Sequence, residues 1–315
     1  MICMRWTVPA SWTCCWQTVN RPQERMEFKM SEHSVFKAAC IQMSARKDPA
    51  TNADRVEAMV RQAAAQGADL IMTPEMTNII NRPREAVAAA VQAEEDCITA
   101  ARFTALAKET GKHLLAGSLG VQAGGGKLAN RSILFGPDGK VMARYNKIHM
   151  FDVNLPNGET YRESSTFDAG QEAVTVDLPW GRMGLTICYD MRFAYLYRML
   201  AKAGCSFISV PAAFTVPTGR AHWHVLLRAR AIETGCFIFA PAQCGTHDDG
   251  RKTYGHSLIV APWGEVLADA GEKPEAIVMA EVDTARVSEA RAQVPSLTHD
   301  RDVRLAGLVA RDAAE

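Results

Sequence analysis

From Phe36 onward, short apolar runs alternate with longer stretches whose apolar residues recur every three or four positions. The short runs predict strands: Phe36–Met43 (FKAACIQM), Ala68–Thr73 (ADLIMT), His113–Ser118, Gly184–Cys188 (GLTIC), Ser206–Val210, Cys236–Ala240, His256–Ala261, Glu265–Asp269 and Ile277–Val282. Thr51–Ala65 puts Ala53, Val56, Met59, Val60 and Ala63 on one helical face, with Thr51 or Asn52 as cap and Gly67 as stop. Ala88–Thr110, closed by Gly111, predicts one long second helical region, and Ala194–Ala203 and Arg220–Thr234 predict two more. Pro137–Asp138–Gly139 joins Arg131–Phe135 to Lys140–Tyr145 as a hairpin, Gly124–Gly126 marks another turn, and the polar stretch Asp152–Thr166 predicts a loop. Helix–strand units at both ends with hairpins between them predict an α/β fold with mixed sheets and outer helices. No internal repeat is visible.

Composition narrows the class. Hydrophobic residues are 48% and charged residues 22%, the balance of a globular protein. Lys plus Arg equals Asp plus Glu at 35 each, so nothing favours a nucleic-acid partner. No apolar run reaches the length of a membrane span. Residues 1–30 stand apart, holding Trp6, Trp12 and Trp16 with Cys3, Cys14 and Cys15. They lack the continuous apolar run of a secretory signal, and Glu24 and Glu27 oppose a transit peptide. They read as an appended or mis-started, disordered segment. One catalytic domain is expected over 34–285, then a partly helical tail over 286–315 that serves as an interface. Without an export signal the expected location is cytoplasmic, with Cys40, Cys97, Cys188, Cys205, Cys236 and Cys244 as free thiols.

Three residues near predicted strand ends carry chemistry: Glu75 after Pro74, Lys147 after the strand ending at Tyr145, and Cys188. Each alone is ordinary, a core thiol or a solvated loop charge. Together they suffice for acyl transfer. A Cys188 thiolate attacks a carbonyl carbon, Glu75 takes its proton and later activates water, and Lys147 holds the oxyanion.

The blocks T-P-E-M at 73–76, Y-N-K-I-H-M-F-D at 145–152 and G-L-T-I-C-Y-D-M-R-F at 184–193 resemble the three signature motifs of the nitrilase, or carbon–nitrogen hydrolase, superfamily. They occur in the family's order, 72 and 41 residues apart. The resemblance spans about Phe36 to Thr284. It implies a four-layer α-β-β-α sandwich that pairs into a homodimer or homotetramer. It implies Glu75 as base, Lys147 as oxyanion partner and Cys188 as nucleophile. Glu163, in the loop after the lysine, is the second carboxylate, and the Tyr189 backbone N–H is the second oxyanion donor. The stretches F-D-V-N-L-P, A-H-W-H-V-L-L-R-A-R-A-I-E and Y-G-H-S-L-I-V look most like the deaminated glutathione amidase and ω-amidase branch, which cleaves amides of 2-oxo acids. That branch points to Arg192, Phe214 (through its backbone) and Thr218 as contacts for the substrate carboxylate. The plain alternative for Arg192 is an ion pair with Asp190. The implied partners are a small amide and water, with no metal and no organic cofactor.

Rival readings remain at this point. His149, two residues from Lys147, suggests a papain-like Cys–His hydrolase. His222-x-His224 on a helix points its rings about 200° apart, poor geometry for one ion. Arg228, Arg230 and Glu233 read as an internal salt-bridge set. N-carbamoyl amide hydrolysis, nitrile hydrolysis, or a redox-sensing scaffold with Cys188 as the responsive thiol are the functional alternatives.

Overall fold

The computed structural model describes residues 35–82, 84–123, 127–155 and 158–303. The segment 1–30, the glycines at 124–126 and the end of the 286–315 tail lie outside the described residues.

The chain opens with β1 (Val35–Gln42), α1 (Pro49–Ala65), β2 (Leu70–Met72), α2 (Arg84–Ala90), α3 (Ile98–Thr110) and β3 (His113–Gln122). β4 (Leu128–Phe135) and β5 (Val141–Asn146) form the expected hairpin. A small ribbon follows, β6 (Asp152–Asn154) with β7 (Thr160–Arg162), inside the stretch read as loop. The second half runs β8 (Val174–Leu178), β9 (Gly181–Leu185), α4 (Ala194–Lys202), β10 (Cys205–Ser209), α5 (Val216–Thr234) and β11 (Phe237–Ala240). It continues through the ribbon β12 (Cys244–Thr246) and β13 (Lys252–Tyr254) to β14 (Leu258–Val260), β15 (Val266–Asp269), β16 (Ala276–Asp283) and α6 (Ala285–Gln293).

Two six-stranded sheets result, ordered β16-β1-β2-β3-β4-β5 and β15-β14-β11-β10-β9-β8. Each has a parallel trio, β1-β2-β3 or β9-β10-β11, with antiparallel strands on both flanks. Period-2 alternation sorts the first sheet's side chains between two cores. Phe36, Ala38, Cys40, Leu70, Met72 and Leu115 meet the second sheet's Met183, Leu185, Phe207, Phe237 and Phe239. Ala39, Ile41, Ile71, Leu114 and Ala116 meet Val56, Val60 and Ala63 of α1 and Phe103 and Leu106 of α3. α4 and α5 cover the far side of the second sheet with Leu196, Leu200, Trp223 and Leu227. The architecture is the four-layer α-β-β-α sandwich of the nitrilase type, with mixed sheets and outer helices.

Three local expectations need correction. α1 is capped by Asp48, whose Oδ2 accepts the Thr51 N–H at 2.9 Å; with Pro49 opening the helix, the cap falls on the residue before it. Asn52 is instead fully buried and ties Arg46 to Asn78. The region 88–110 is two helices, because Gln122 at the end of β3 bonds the carbonyls of Val91 and Gln92 and draws that segment out of helical form. Cys188 does not end a strand; β9 stops at Leu185 and Cys188 opens a 3-10 turn over 188–192. All six described cysteines are free and buried. Past residue 285, α6 docks by Arg291, which donates to the Thr234 and Cys205 carbonyls.

Candidate active site

Glu75 follows β2 across Pro74. The chain here presses so close to β3 that a Cβ at Gly117 would meet the Thr73 carbonyl oxygen at 1.7 Å, so only glycine fits. This pins the Thr73–Pro74 turn and aims Glu75 inward, 4% exposed. Its Oε1 accepts from Lys147 Nζ at 2.8 Å and Asn130 Nδ2 at 3.0 Å. Its Oε2 accepts the Ala213 N–H at 2.9 Å, reaching across to the second sheet just past β10.

Lys147 follows β5, and its main-chain N–H is held by the Asn130 carbonyl on β4. Its ammonium, almost wholly buried, also donates to Glu163 Oε1 at 3.0 Å and Oε2 at 2.8 Å. Glu163, in the turn after β7, accepts further from the Phe151 N–H at 2.7 Å and Asn130 Nδ2 at 3.1 Å. Asn130 therefore bridges both carboxylates, while its Oδ1 is buried with no partner among the described residues.

Cys188 is held in the left-handed region at φ 49, rare for a non-glycine residue. The surroundings determine that geometry. The Cys188 N–H donates to the Pro211 carbonyl, and Asp190 clips the turn by accepting the Ile187 N–H at 2.9 Å. Asp190 is fully buried; it also accepts the Tyr145 hydroxyl at 2.7 Å and the His149 N–H at 3.0 Å. Arg230 of α5 braces the turn from outside by donating Nε to the Met191 carbonyl.

The three titrating groups act on one another. Burial pushes the Glu75 carboxyl up, but the Lys147 charge and hydrogen bond, with help from the Cys188 thiol and Arg251, leave it below the usual range. Burial disfavours the Lys147 ammonium, yet Glu163 and Glu75 more than restore it and hold its pKa well above the ordinary value. Burial and then the Glu75 charge raise the Cys188 thiol well above its ordinary value, against the pull of Lys147. These shifts favour the thiol form of Cys188 beside an ionised Glu75, so any attack by its sulfur would be coupled to proton transfer.

These groups line one cavity of about 460 Å³. Its wall also holds Arg82, Arg84, Arg162 and Arg251, so five cationic side chains, counting Lys147, face two anionic ones, Glu75 and Glu163. Arg251 donates to the Ala213 carbonyl at 2.6 Å, gripping the same residue whose N–H holds Glu75. Its Nε is buried and without a partner among the described residues.

Phe214 and Thr218 line the cavity; Arg192 is not among the lining residues. The Arg192 guanidinium lies over the rings of Phe214 (5.4 Å) and Tyr189 (5.7 Å) and reaches His222 at 3.3 Å. Among the described residues it forms no ion pair with Asp190. His149 does not line the cavity either: its Nδ1 faces Asp190 at 2.7 Å, its Nε2 faces the Tyr195 hydroxyl at 2.7 Å, and its ring stacks on Phe193. The His149 ring is thus engaged away from the cavity. Of the α5 charges, Arg230 pairs with Glu233, while Arg228 donates to the Gly264 carbonyl. Asn130, Asp190, Ala213 and Arg251 were missed by sequence reasoning. Only Asp190 left a signal there, two residues after the nucleophile; the others act through tertiary contacts.

Comparison with known proteins identifies the family. The profile of the family described as carbon-nitrogen hydrolase matches residues 37–292. A deaminated glutathione amidase from Synechocystis sp. is 43% identical over 273 residues, covering 84% of this chain and 97% of that protein. The omega-amidase NIT2 of Homo sapiens is 38% identical over 267 residues, covering 84% and 95%. Among solved structures, the C. elegans NitFhit protein superposes with a TM-score of 0.79 at 35% identity, over 85% of this chain and 65% of that one. The chain belongs to the carbon–nitrogen hydrolase family, within the nitrilase superfamily, and is a hydrolase of carbon–nitrogen bonds other than peptide bonds.

Proposed function

We propose that the chain is a thiol amidase that hydrolyses the amide of a small 2-oxo acid, of the deaminated glutathione type, within one domain over 34–285. Cys188 Sγ attacks the amide carbon as its proton passes to Glu75. Lys147 Nζ and the Tyr189 N–H hold the oxyanion; the first N–H groups of a helical turn have no acceptor within it. Lys147 has three N–H donors, and its resting bonds to Glu75 and to both oxygens of Glu163 use all of them. One donor leaves Glu163 for the oxyanion. Glu75 then protonates the departing nitrogen, the C–N bond breaks, and the acyl group stays on sulfur as a thioester. Glu75 next takes a proton from water, whose oxygen attacks the thioester, and the acid leaves as the thiol is restored. Glu163 fixes Lys147 and keeps the site's charge balanced throughout.

The observation that carries the substrate class is the excess of cations in the cavity wall, which suits a substrate bearing a carboxylate beside its ketone. Thr218 and the Phe214 main chain are proposed to meet that carboxylate together with a guanidinium. Arg192 fills this role by leaving its stacked position; Arg251 is the competing candidate, already in the wall. Replacing each by Met identifies the group, as the larger rise in KM at little change in kcat marks the carboxylate partner. A cytoplasmic location belongs to the same reading, since Cys188 must stay reduced. So does self-assembly, for which Tyr195, Met199, Val225 and Ile232 on α4 and α5 offer exposed apolar surface.

The deciding experiment measures acid and amine release from deaminated glutathione, α-ketoglutaramate, an N-carbamoyl amino acid and a simple nitrile. Turnover of the 2-oxo-acid amides with a thioester mass on Cys188 is expected. Inert keto-acid amides beside rapid turnover of the carbamoyl compound would overturn the substrate class.

A further inference from the structure

Outside the cavity, three metal-ligating side chains from three separate elements converge. His224 lies in α5, His256 in the turn before β14, and Asp269 at the end of β15. His224 Nε2 is 3.1 Å from Asp269 Oδ2, and His256 Nδ1 is 3.0 and 3.1 Å from the two carboxylate oxygens. One ligand atom from each residue falls within 4.8 Å of the other two. A tetrahedral ion with ligand bonds of about 2.1 Å sets its ligand atoms about 3.4 Å apart, so each His–Asp hydrogen bond needs to open only slightly to admit one. The rings of His224 and His256 stand edge to face, 5.0 Å between centroids and 74° between planes.

Two of the three ligands are also held by contacts to other groups. The His256 N–H donates to the Gly271 carbonyl, its carbonyl accepts from Trp223 Nε1 at 2.8 Å, and its backbone sits at φ 55. Its ring stacks on Tyr254 at 4.4 Å. Asp269 Oδ1 accepts the Gly271 N–H at 2.8 Å. Such outside contacts fix ligand orientation before an ion arrives. The side chains of His224, His256 and Asp269 are 32%, 18% and 33% exposed, which leaves an approach for the ion and room for water to complete its shell.

We propose that His224, His256 and Asp269 bind a divalent transition-metal ion of the zinc class, which staples α5 to the β14–β15 hairpin. Two imidazoles and one carboxylate favour such an ion over Mg²⁺ or Ca²⁺, which take all-oxygen sites. The role is structural, since none of the three residues lines the catalytic cavity. His224 is next to Trp223, whose ring packs 4.8 Å from cavity-lining Phe214, so the staple tightens the back of the cavity wall. The sequence expectation of no metal rested on the divergence of His222 and His224. That divergence is real, with His222 facing Arg192; the further ligands come from 32 and 45 residues downstream of His224.

The test uses the EDTA-treated full chain with Cys188→Ala, so that the catalytic thiol does not compete for the ion. Zinc binding is followed by calorimetry, Co²⁺ binding by absorption, and Tm with and without Zn²⁺. His224→Gln and Asp269→Asn are made in the same background, and circular dichroism in EDTA confirms that each folds. The parent is expected to bind one equivalent more than His224→Gln, to show Co²⁺ ligand-field bands from this site free of thiolate charge transfer, and to gain Tm with Zn²⁺. Asp269→Asn is expected to weaken this binding at least about tenfold. Equal stoichiometry, affinity and Tm gain in parent and both variants, or no uptake by the parent, would overturn the proposal.

Discussion

The two sheets of this molecule share one plan and do different work. Each carries a parallel trio with one antiparallel strand on one flank and two on the other. Each trio has its crossover helices on the outer face. The first sheet contributes charge: Glu75 after β2, Lys147 after β5, and Asn130 on β4 between them. The second contributes the thiol after β9 and main-chain groups past β10, namely the Pro211 carbonyl and the Ala213 N–H. Glu75 and Ala213 both follow the central strand of their own sheet, and their hydrogen bond joins the two halves at the site. The comparison teaches that the scaffold sets where strand ends meet, while the chemistry depends on which half is given buried ions and which a clipped turn.

Removing the working groups from either half breaks the comparison most severely. Glu75→Gln and Cys188→Ala are expected to lower kcat by about 10⁴-fold or more, each costing about as much as both together, because they act as one unit. Additive losses in the double variant, read by steady-state rates, would separate them into independent roles.

Stability should distinguish the halves next. Lys147→Met leaves Glu75 and Glu163 buried without their cation, and a loss of about 3–5 kcal/mol in urea unfolding is expected. Cys188→Ala, which removes no charge, should lie well below that. Equal losses would show that burial of the Glu75–Lys147–Glu163 cluster has no special cost.

A smaller effect sharpens the role of the clipped turn. His149→Ala leaves Asp190 its bonds to Ile187 and Tyr145, so a loss of roughly tenfold in kcat is expected, with the base intact. A loss as large as that of Glu75→Gln would return His149 to the chemistry.

The smallest effect is in pH dependence. Glu75 is held below its ordinary pKa, so its share of stability is full at neutral pH and fades as pH falls below the ordinary glutamate value of about 4.3. Lys147 is held above its ordinary value, so its share is full at neutral pH and fades only as pH rises past about 10.4. Denaturant melts of the parent and Glu75→Gln should therefore converge at the acid end, and those of the parent and Lys147→Met at the alkaline end. Parallel curves at both ends would mean that these groups are not linked to folding.

Much was legible from the chain alone, for physical reasons. Strand alternation and helical spacing are local properties, so β1, α1, α5 and the β4–β5 hairpin follow from side-chain period. Glu75, Lys147 and Cys188 stood out because each sits in a short contiguous motif, although the sequence placed Cys188 at a strand end that the structure puts at Leu185. Longer-range effects were not. The break between α2 and α3 depends on Gln122, and the Asp48 cap displaced two plausible neighbours. The twin plan of the two sheets left no sequence repeat, since topology requires only apolar periodicity and not matching residues.

The sequence by itself determined the family and the α/β class, because these rest on short contiguous patterns. Only the tertiary structure decided that the surroundings of Cys188 favour its thiol form, that Asn130 bridges the two carboxylates, and that Arg251 stands in the cavity wall while Arg192 stacks outside it. It alone brought His224, His256 and Asp269 together. Protonation, hydrogen-bond partnership and ligand geometry depend on groups far apart in the chain, and burial gives those contacts their strength.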